Sequence, residues 1–345
     1  MTQPVVLVTG ATGFIAQHVV DKLLARGYSV IGTGRTKEKY SIVIKNFKEK
    51  YPEGKLSFAI VPEIGADDAF DDVLKEHPEV KYVIHMASPI DFIPDSPLKE
   101  YYLDAAVNGT LNILKAIKKF APNVTNVVLT SSFVSIMQQD PSIVLTNDMW
   151  NPITWDYVSN PHEAYAASKK FAELAARDFI ASEKPNYKFA TVNPALVVGP
   201  QVFDSSVNKV LNISNRFVLN VVQSADINSK DPQDQLPVVG IDVRDTAEFH
   251  ILPLEIEALS DERILIANEP IIGQRVFNIL NDNFPQLKGK IAVGDYDSAG
   301  ELVERLCPKQ DISNIINKIP GGYKFVTLEK SLVDTFKQYL AKEEI

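Results

Sequence analysis

The segment that most constrains this chain lies at its N-terminus. Pro4–Thr9 (PVVLVT) is an uncharged, β-branched run that reads as a buried strand. Two glycines three residues apart follow it, and a helical pattern then runs to about Arg26, where Gly27 stops it. Two glycines alone mark no more than a loop. Between a strand and a helix they let the backbone turn tightly and come close to a pyrophosphate, and the helix N-terminus adds free N–H groups and the positive end of its dipole. Thr9, Gly10, Ala11, Thr12, Gly13, Phe14 and Ile15 are therefore the candidate dinucleotide-binding turn.

The second strand, Tyr28–Gly32, runs on into Thr33-Gly34-Arg35-Thr36. A fold that binds NAD usually places a carboxylate here for the adenosine ribose hydroxyls. This chain has Arg35 instead, with Lys39 one helical turn later. A guanidinium binds a 2′-phosphate in bidentate fashion, and an acid would repel it. The expected cofactor is NADPH/NADP+; the plain alternative is a solvated basic face.

Further strands are expected at Lys55–Val61, Lys81–Met86, Thr125–Thr130 and Asn186–Asn193, separated by helix-length segments that include Tyr101–Phe120 and Glu163–Glu183. Such alternation predicts an α/β fold, a Rossmann doubly wound parallel sheet covered on both faces. The expected division is a dinucleotide-binding domain over 1–193, rejoined by about 238–268 through GIDVRDTAEFH. A smaller discontinuous substrate lobe is expected over 194–237 and 269–345.

Composition removes other classes. The 345 residues carry 44 acidic and 35 basic side chains, a net charge of −9, which argues against general binding to nucleic acid or to anionic membrane. One cysteine, Cys307, excludes internal disulfides and multi-cysteine zinc sites. No His or carboxylate spacing suggests a metal. Neither a secretory signal nor a long apolar run is evident, so a cytoplasmic protein, monomer or homodimer, is expected.

Two of the 12 tyrosines have a lysine four residues on. Tyr51–Lys55 falls in a Pro-Gly turn. Tyr165–Lys169 opens a strong helix, where the two share one face about 6 Å apart along the axis. The strand Val127–Thr130 ends in Ser131-Ser132, hydroxyls at the carboxyl end where open α/β sheets bind ligands. Ordinary turn chemistry would explain those serines equally well without Tyr165.

Taken together, TGATGFIA, HMASP, AVNGT, TSS, YAASK and IDVRD resemble the extended short-chain dehydrogenase/reductase family. Within it the chain is similar to the branch of dihydroflavonol reductases, cinnamoyl-CoA reductases and fungal carbonyl reductases. The resemblance implies reduction of a small-molecule carbonyl, with Tyr165 as general acid, Lys169 on the nicotinamide ribose, Ser132 (rather than Ser131) orienting the carbonyl, and Asn108 completing a tetrad. A free tyrosine titrates near pH ~10, and the Lys169 ammonium and oxidised nicotinamide are expected to bring it down. The same match implies cofactor contacts from Glu63, Ala87, Ser88, Pro194, Val197 and Ser214. It implies a mostly apolar substrate pocket from Ile90, Phe133, Met137, His162 and Leu196. With no helper carboxylate evident, His162 reads as a pocket wall or helix-entry residue. A sugar-nucleotide epimerase or dehydratase, and a non-enzymatic NADPH sensor, are the competing readings.

Overall fold

Strand and helix alternate because each strand must be covered on both faces. In the computed structural model, which describes residues 3–88, 97–140, 142–207, 212–227 and 237–342, the first layer builds from β1 (Val5–Thr9), α1 (Phe14–Ala25), β2 (Ser29–Gly34), α2 (Lys37–Lys50), β3 (Leu56–Ile60), α3 (Asp71–Glu76) and β4 (Val80–His85). It continues through a π-helical turn at Lys99–Asp104 into α4 (Ala105–Phe120), then β5 (Asn126–Thr130), β6 (Val144–Leu145), α5 (Pro161–Glu183), β7 (Lys188–Pro194) and β8 (Leu196–Val198). The remainder is α6 (Ile213–Ser224), β9 (Val238–Asp242), α7 (Val243–Glu255), β10 (Arg263–Ile266), β11 (Glu269–Ile271), α8 (Gly273–Asn283), α9 (Ala299–Leu306), β12 (Lys309–Gln310), α10 (Ser313–Ile316) and α11 (Leu328–Leu340).

Seven strands form one sheet in the order β10-β7-β5-β4-β1-β2-β3, every pairing parallel. Alternate residues of each strand serve opposite faces. Val6 and Val8 of β1 pack with Val19, Leu23, Val43, Ala247 and Ile251 beneath α1, α2 and α7. Leu7 packs with Leu74, Ile113, Ile117 and Ala176 beneath α3, α4 and α5. Strand order reverses between β1 and β4, so the carboxyl ends of these two strands open the crevice where such sheets bind ligands.

A second, three-stranded sheet, β11-β9-β8, carries the smaller lobe with α6, α8 and α11 packed over Val198, Val218, Ile271, Phe277 and Phe336. Here the structure corrects the expected division. β9 does not rejoin the large sheet: it pairs with β8 and, antiparallel, with β11. The chain returns with α7 against α1, and β10 then lies beside β7. Both sheets take fully buried strands, so the apolar run Val238–Ile241 could not say which one it joins. Among the described residues no helix is long and apolar enough to cross a membrane.

Candidate active site

The glycine turn is built around a close approach. Gly10 has φ +66°, and a Cβ there would meet Ala87 Cα at 3.0 Å, so the turn after β1 and the end of β4 touch at the crevice. Gly13 caps α1 with extended backbone and is exposed, leaving the first N–H groups of the helix facing outward. Thr12, Phe14 and Ile15 are half-buried around it.

Thr9 and Ala11 are fully buried and shape the turn rather than line it. Thr9 Oγ1 accepts from Met86 N (3.0 Å) and Ala87 N (3.1 Å), and its own proton goes to His85 Nδ1 at 2.9 Å. Arg35 follows β2 and Lys39 lies in the first turns of α2, both exposed; among the described residues neither makes an ion pair. Glu63 is exposed in the loop after β3, where its Oε1 accepts from Gly65 N at 3.1 Å.

The chemical groups gather at the ends of β4 and β5. Asn160 caps α5, its Oδ1 accepting from His162 N and Glu163 N at 3.0 Å each, with Pro161 in the first turn. That start places Tyr165 and Lys169 on one face. The Tyr165 hydroxyl is hydrogen-bonded to Ser132. Ser132 Oγ also accepts from Val134 N at 3.4 Å, which leaves its proton for the phenol.

Lys169 is 7% exposed and donates to Thr130 O at 3.3 Å. It shares a cavity with Ala87, Ser88, Thr110, Thr130 and Ser131. Thr130 is held in turn: its Oγ1 bonds His250 Nε2 (2.8 Å), and His250 Nδ1 donates to Thr246 O (2.7 Å).

Burial lowers the Lys169 ammonium to about 8, and Glu173 opposes that shift. Tyr165 moves the other way from expectation. Burial pushes the phenol above its usual range, with the Ser132 hydrogen bond working against it. The Lys169 ammonium is directed at a backbone carbonyl and so does not reverse the cost of burying a phenolate.

Other sequence expectations divide. Asn108 is exposed, whereas Ala106, Thr110, Ile113 and Ile117 form the buried face of α4. At about 100° per residue, Asn108 points away from the sheet and is not brought to Ser132, Tyr165 and Lys169. Thr110, two residues on, is the α4 side chain that lines the cavity. Pro194 ends β7, Val197 pairs with Ile241, and both are buried. The Ser214 hydroxyl accepts from Asn212 Nδ2 at 2.8 Å on α6.

Of the residues expected to line a substrate pocket, Phe133 is 6% exposed and packs largely in the core, while Met137 is 37% exposed. Leu196 packs at the edge of the smaller lobe. His162 is exposed in the first turn of α5, its ring 6.3 Å from that of Phe217 on α6. Ile90 lies outside the described residues.

Sequence reasoning also missed Glu173 and Arg263, a fully buried ion pair directly behind Ser131. Two signals pointed to it: an acid one helical turn beyond Lys169, and an arginine inside the apolar strand RILI. Among the described residues there is no group of His, Cys, Asp and Glu that could hold a metal ion.

A doubly wound parallel sheet with a glycine turn at its switch point and a Ser–Tyr–Lys site at the ends of its strands defines a dinucleotide-dependent enzyme. The sequence profile of the NAD dependent epimerase/dehydratase family matches residues 6–264, and the chain belongs to that family, the extended short-chain dehydrogenases/reductases. It is 39% identical over 352 residues to the NADPH-dependent methylglyoxal reductase GRE2 of Saccharomyces cerevisiae, covering 98% of each chain. The crystal structure of Gre2 from Candida albicans in complex with NADPH matches with a TM-score of 0.90 at 37% identity, over 99% of this chain and 100% of that one. The yeast methylglyoxal/isovaleraldehyde reductase Gre2 complexed with NADPH gives a TM-score of 0.88 at 36% identity, over 98% of each chain.

Proposed function

We propose that this protein is an NADPH-dependent carbonyl reductase that converts small aldehydes, ketones and α-dicarbonyls such as methylglyoxal to alcohols. The observation that carries the reading is the hydrogen-bonded Ser132–Tyr165 pair with Lys169 one turn behind it. Support comes from near full-length relatives whose names state NADPH-dependent reduction.

The residues present fit the cofactor. Gly10, with φ +66° and no room for a Cβ against Ala87, and the start of α1 would hold the pyrophosphate, and Lys169 would hold the nicotinamide ribose at the carboxyl ends of the strands. Arg35 and Lys39, exposed and without an acidic partner among the described residues, favour the 2′-phosphate although the family's description names NAD. When bound, NADPH supplies the two electrons that reduce the carbonyl carbon.

The protein supplies the rest. Ser132 and Tyr165 donate hydrogen bonds to the oxygen on which negative charge develops. Tyr165, whose proton is held tightly by burial, then delivers it to that oxygen. Lys169, one turn from Tyr165 on the same face of α5, holds positive charge at the site as the proton leaves. The pocket groups Phe133, Met137, Leu196 and the His162–Phe217 pair are mostly apolar, which suits aliphatic and aryl carbonyls better than sugars or acids. We assign the protein to the cytosol, as a monomer or homodimer; the mass in solution by light scattering tests the latter.

The deciding experiment follows NADPH oxidation across a panel of aldehydes, α-dicarbonyls and aryl ketones, with chiral analysis of the alcohols. No turnover on any of them, or cofactor retained through extensive dialysis with turnover of a nucleotide sugar, would replace this reading with the epimerase one.

A further inference from the structure

Glu173 lies on α5 one turn beyond Lys169 and has no solvent exposure. A carboxylate in such a place is costly unless every lone pair is answered. Here the answers are complete. Oε1 accepts from Arg263 Nε (2.6 Å), Arg177 Nε (3.1 Å) and Thr191 Oγ1 (3.2 Å). Oε2 accepts from Ser131 Oγ (2.6 Å), Asn193 Nδ2 (2.8 Å) and Arg263 Nη2 (3.3 Å). Burial works to raise the Glu173 carboxyl, but Arg263 and Arg177 outweigh it and keep the group ionised. Well-packed apolar residues would stabilise a core at least as well as such a network, so its retention beside the site points to a task other than stability.

Two connections reach the proposed catalytic groups. The first is mechanical. Ser131 is tied to Glu173, and the Ser132 carbonyl accepts from Ser135 Oγ (2.7 Å), whose oxygen accepts in turn from Asn193 Nδ2 (2.9 Å), a donor that also serves Glu173. The turn that presents Ser132 is therefore clamped from behind on both sides.

The second connection is electrostatic. Around Lys169 stand Tyr165 and Glu173 on α5, His85 at the end of β4 and His250 on α7, with Arg177 and Arg263 beyond Glu173. Both histidines are buried and neutral near pH 7, held to about 3 and about 4. Of these groups only Glu173 favours the ammonium.

We propose that Glu173 is a positioning residue: its buried carboxylate keeps Lys169 charged and, through Ser131 and Asn193, fixes the turn that aims Ser132. The inference rests on the assignment of Ser132, Tyr165 and Lys169 above, and it is read out first without turnover. Lysine 13Cε resonances of the free protein, with Lys169 assigned by its loss in Lys169→Met, report the ammonium directly.

Glu173→Gln is expected to lower the Lys169 midpoint by about one pH unit or more. Arg177→Gln removes a half-exposed cation from the far side of Glu173 and should raise that midpoint. Ser131→Ala should leave the midpoint in place and reduce kcat about tenfold with KM little changed. The alkaline limb of kcat/KM should follow the same shifts. If Glu173→Gln fails to fold, Arg177→Gln and Ser131→Ala carry the test.

A Lys169 midpoint that ignores both charge changes, in folded variants of an enzyme that needs Tyr165, overturns this inference alone. Midpoints that move as stated in a protein whose Tyr165→Phe variant still turns over would uphold the charge coupling and overturn the catalytic assignment instead.

Discussion

In the proposed function, Arg35 is the residue on which cofactor choice turns. Exposed at the end of β2, it has no acidic neighbour among the described residues to satisfy it. A charge-assisted, bidentate pair with a phosphate contributes about 1.5–3 kcal/mol. Arg35→Asp should therefore lower kcat/KM for NADPH about 10- to 100-fold and leave NADH unchanged or improved. Lys39→Ala should cost less, because an ammonium is a point charge on a flexible stem. Steady-state kinetics with both cofactors checks this, and the NADPH advantage should shrink with added salt. Tyr165→Phe should lose about 10²- to 10⁴-fold in kcat while keeping NADPH affinity by fluorescence titration. The pH dependence follows from Lys169. Its ammonium is present below about 8 and lost above it, so kcat/KM for reduction should fall above that pH. A flat profile from pH ~7 to ~10 would contradict the assignment. At this scale the sequence located the candidate groups that sit on neighbouring residues: the glycine turn, Tyr165–Lys169 and Arg35. The Glu173 network left only two separate signals there, because its partners come from the turn after β5, from β7, from β10 and from its own helix. Asn108 failed for a simpler reason, since the motif fixed its place in the chain but not its phase on the helix.

Among the elements, α5 matters most because its start sets the height of Tyr165 and Lys169. Asn160, Pro161 and Glu163 fix that start: Asn160 caps two N–H groups, and Glu163 reaches back to Ser159 N (2.8 Å) and Ser159 Oγ (2.9 Å). Replacing a capping Asn by Ala typically costs about 1 kcal/mol. In Asn160→Ala the Tm should fall by about 1–2 °C, and kcat should fall more than the loss of folded protein accounts for, because the frayed first turn adjoins Tyr165. Scanning fluorimetry beside kinetics at saturating NADPH separates the two effects; unchanged kcat would show that the helix start is held by tertiary packing instead. Periodicity located the strands and helices of the first layer to within a few residues. It could not place β9, whose partners β8 and β11 are each three residues long and carry no pattern of their own.

For the whole molecule, the acid side of the stability curve is set by three buried histidines that tie one element to another. His18 on α1 bonds Pro200 O (2.9 Å), His85 bonds Thr9, and His250 on α7 bonds Thr130 and Thr246. Burial depresses all three, His18 and His250 to about 4 and His85 to about 3. The sign is fixed by which state takes the proton. Above pH ~6.5 both states leave these rings neutral. Between about 6.5 and about 4 the unfolded chain protonates them and the native fold does not, so stability falls as pH falls. One group opposes this. Asp245, hydrogen-bonded to Tyr323 and Val326 N, is raised by burial to about 6, so the native state takes a proton there before the unfolded chain does. Three losses against one gain leave a net of about two protons, or about 3 kcal/mol of stability per pH unit at most. Urea unfolding midpoints should accordingly be level between pH ~7 and ~8 and drop steadily toward pH ~5. His250→Gln keeps a donor for Thr246 O and an acceptor for Thr130, and so should shallow that slope by about one proton. Midpoints that do not change between these pH values, or a slope untouched in His250→Gln, would mean the buried rings take up protons through local opening rather than through global unfolding.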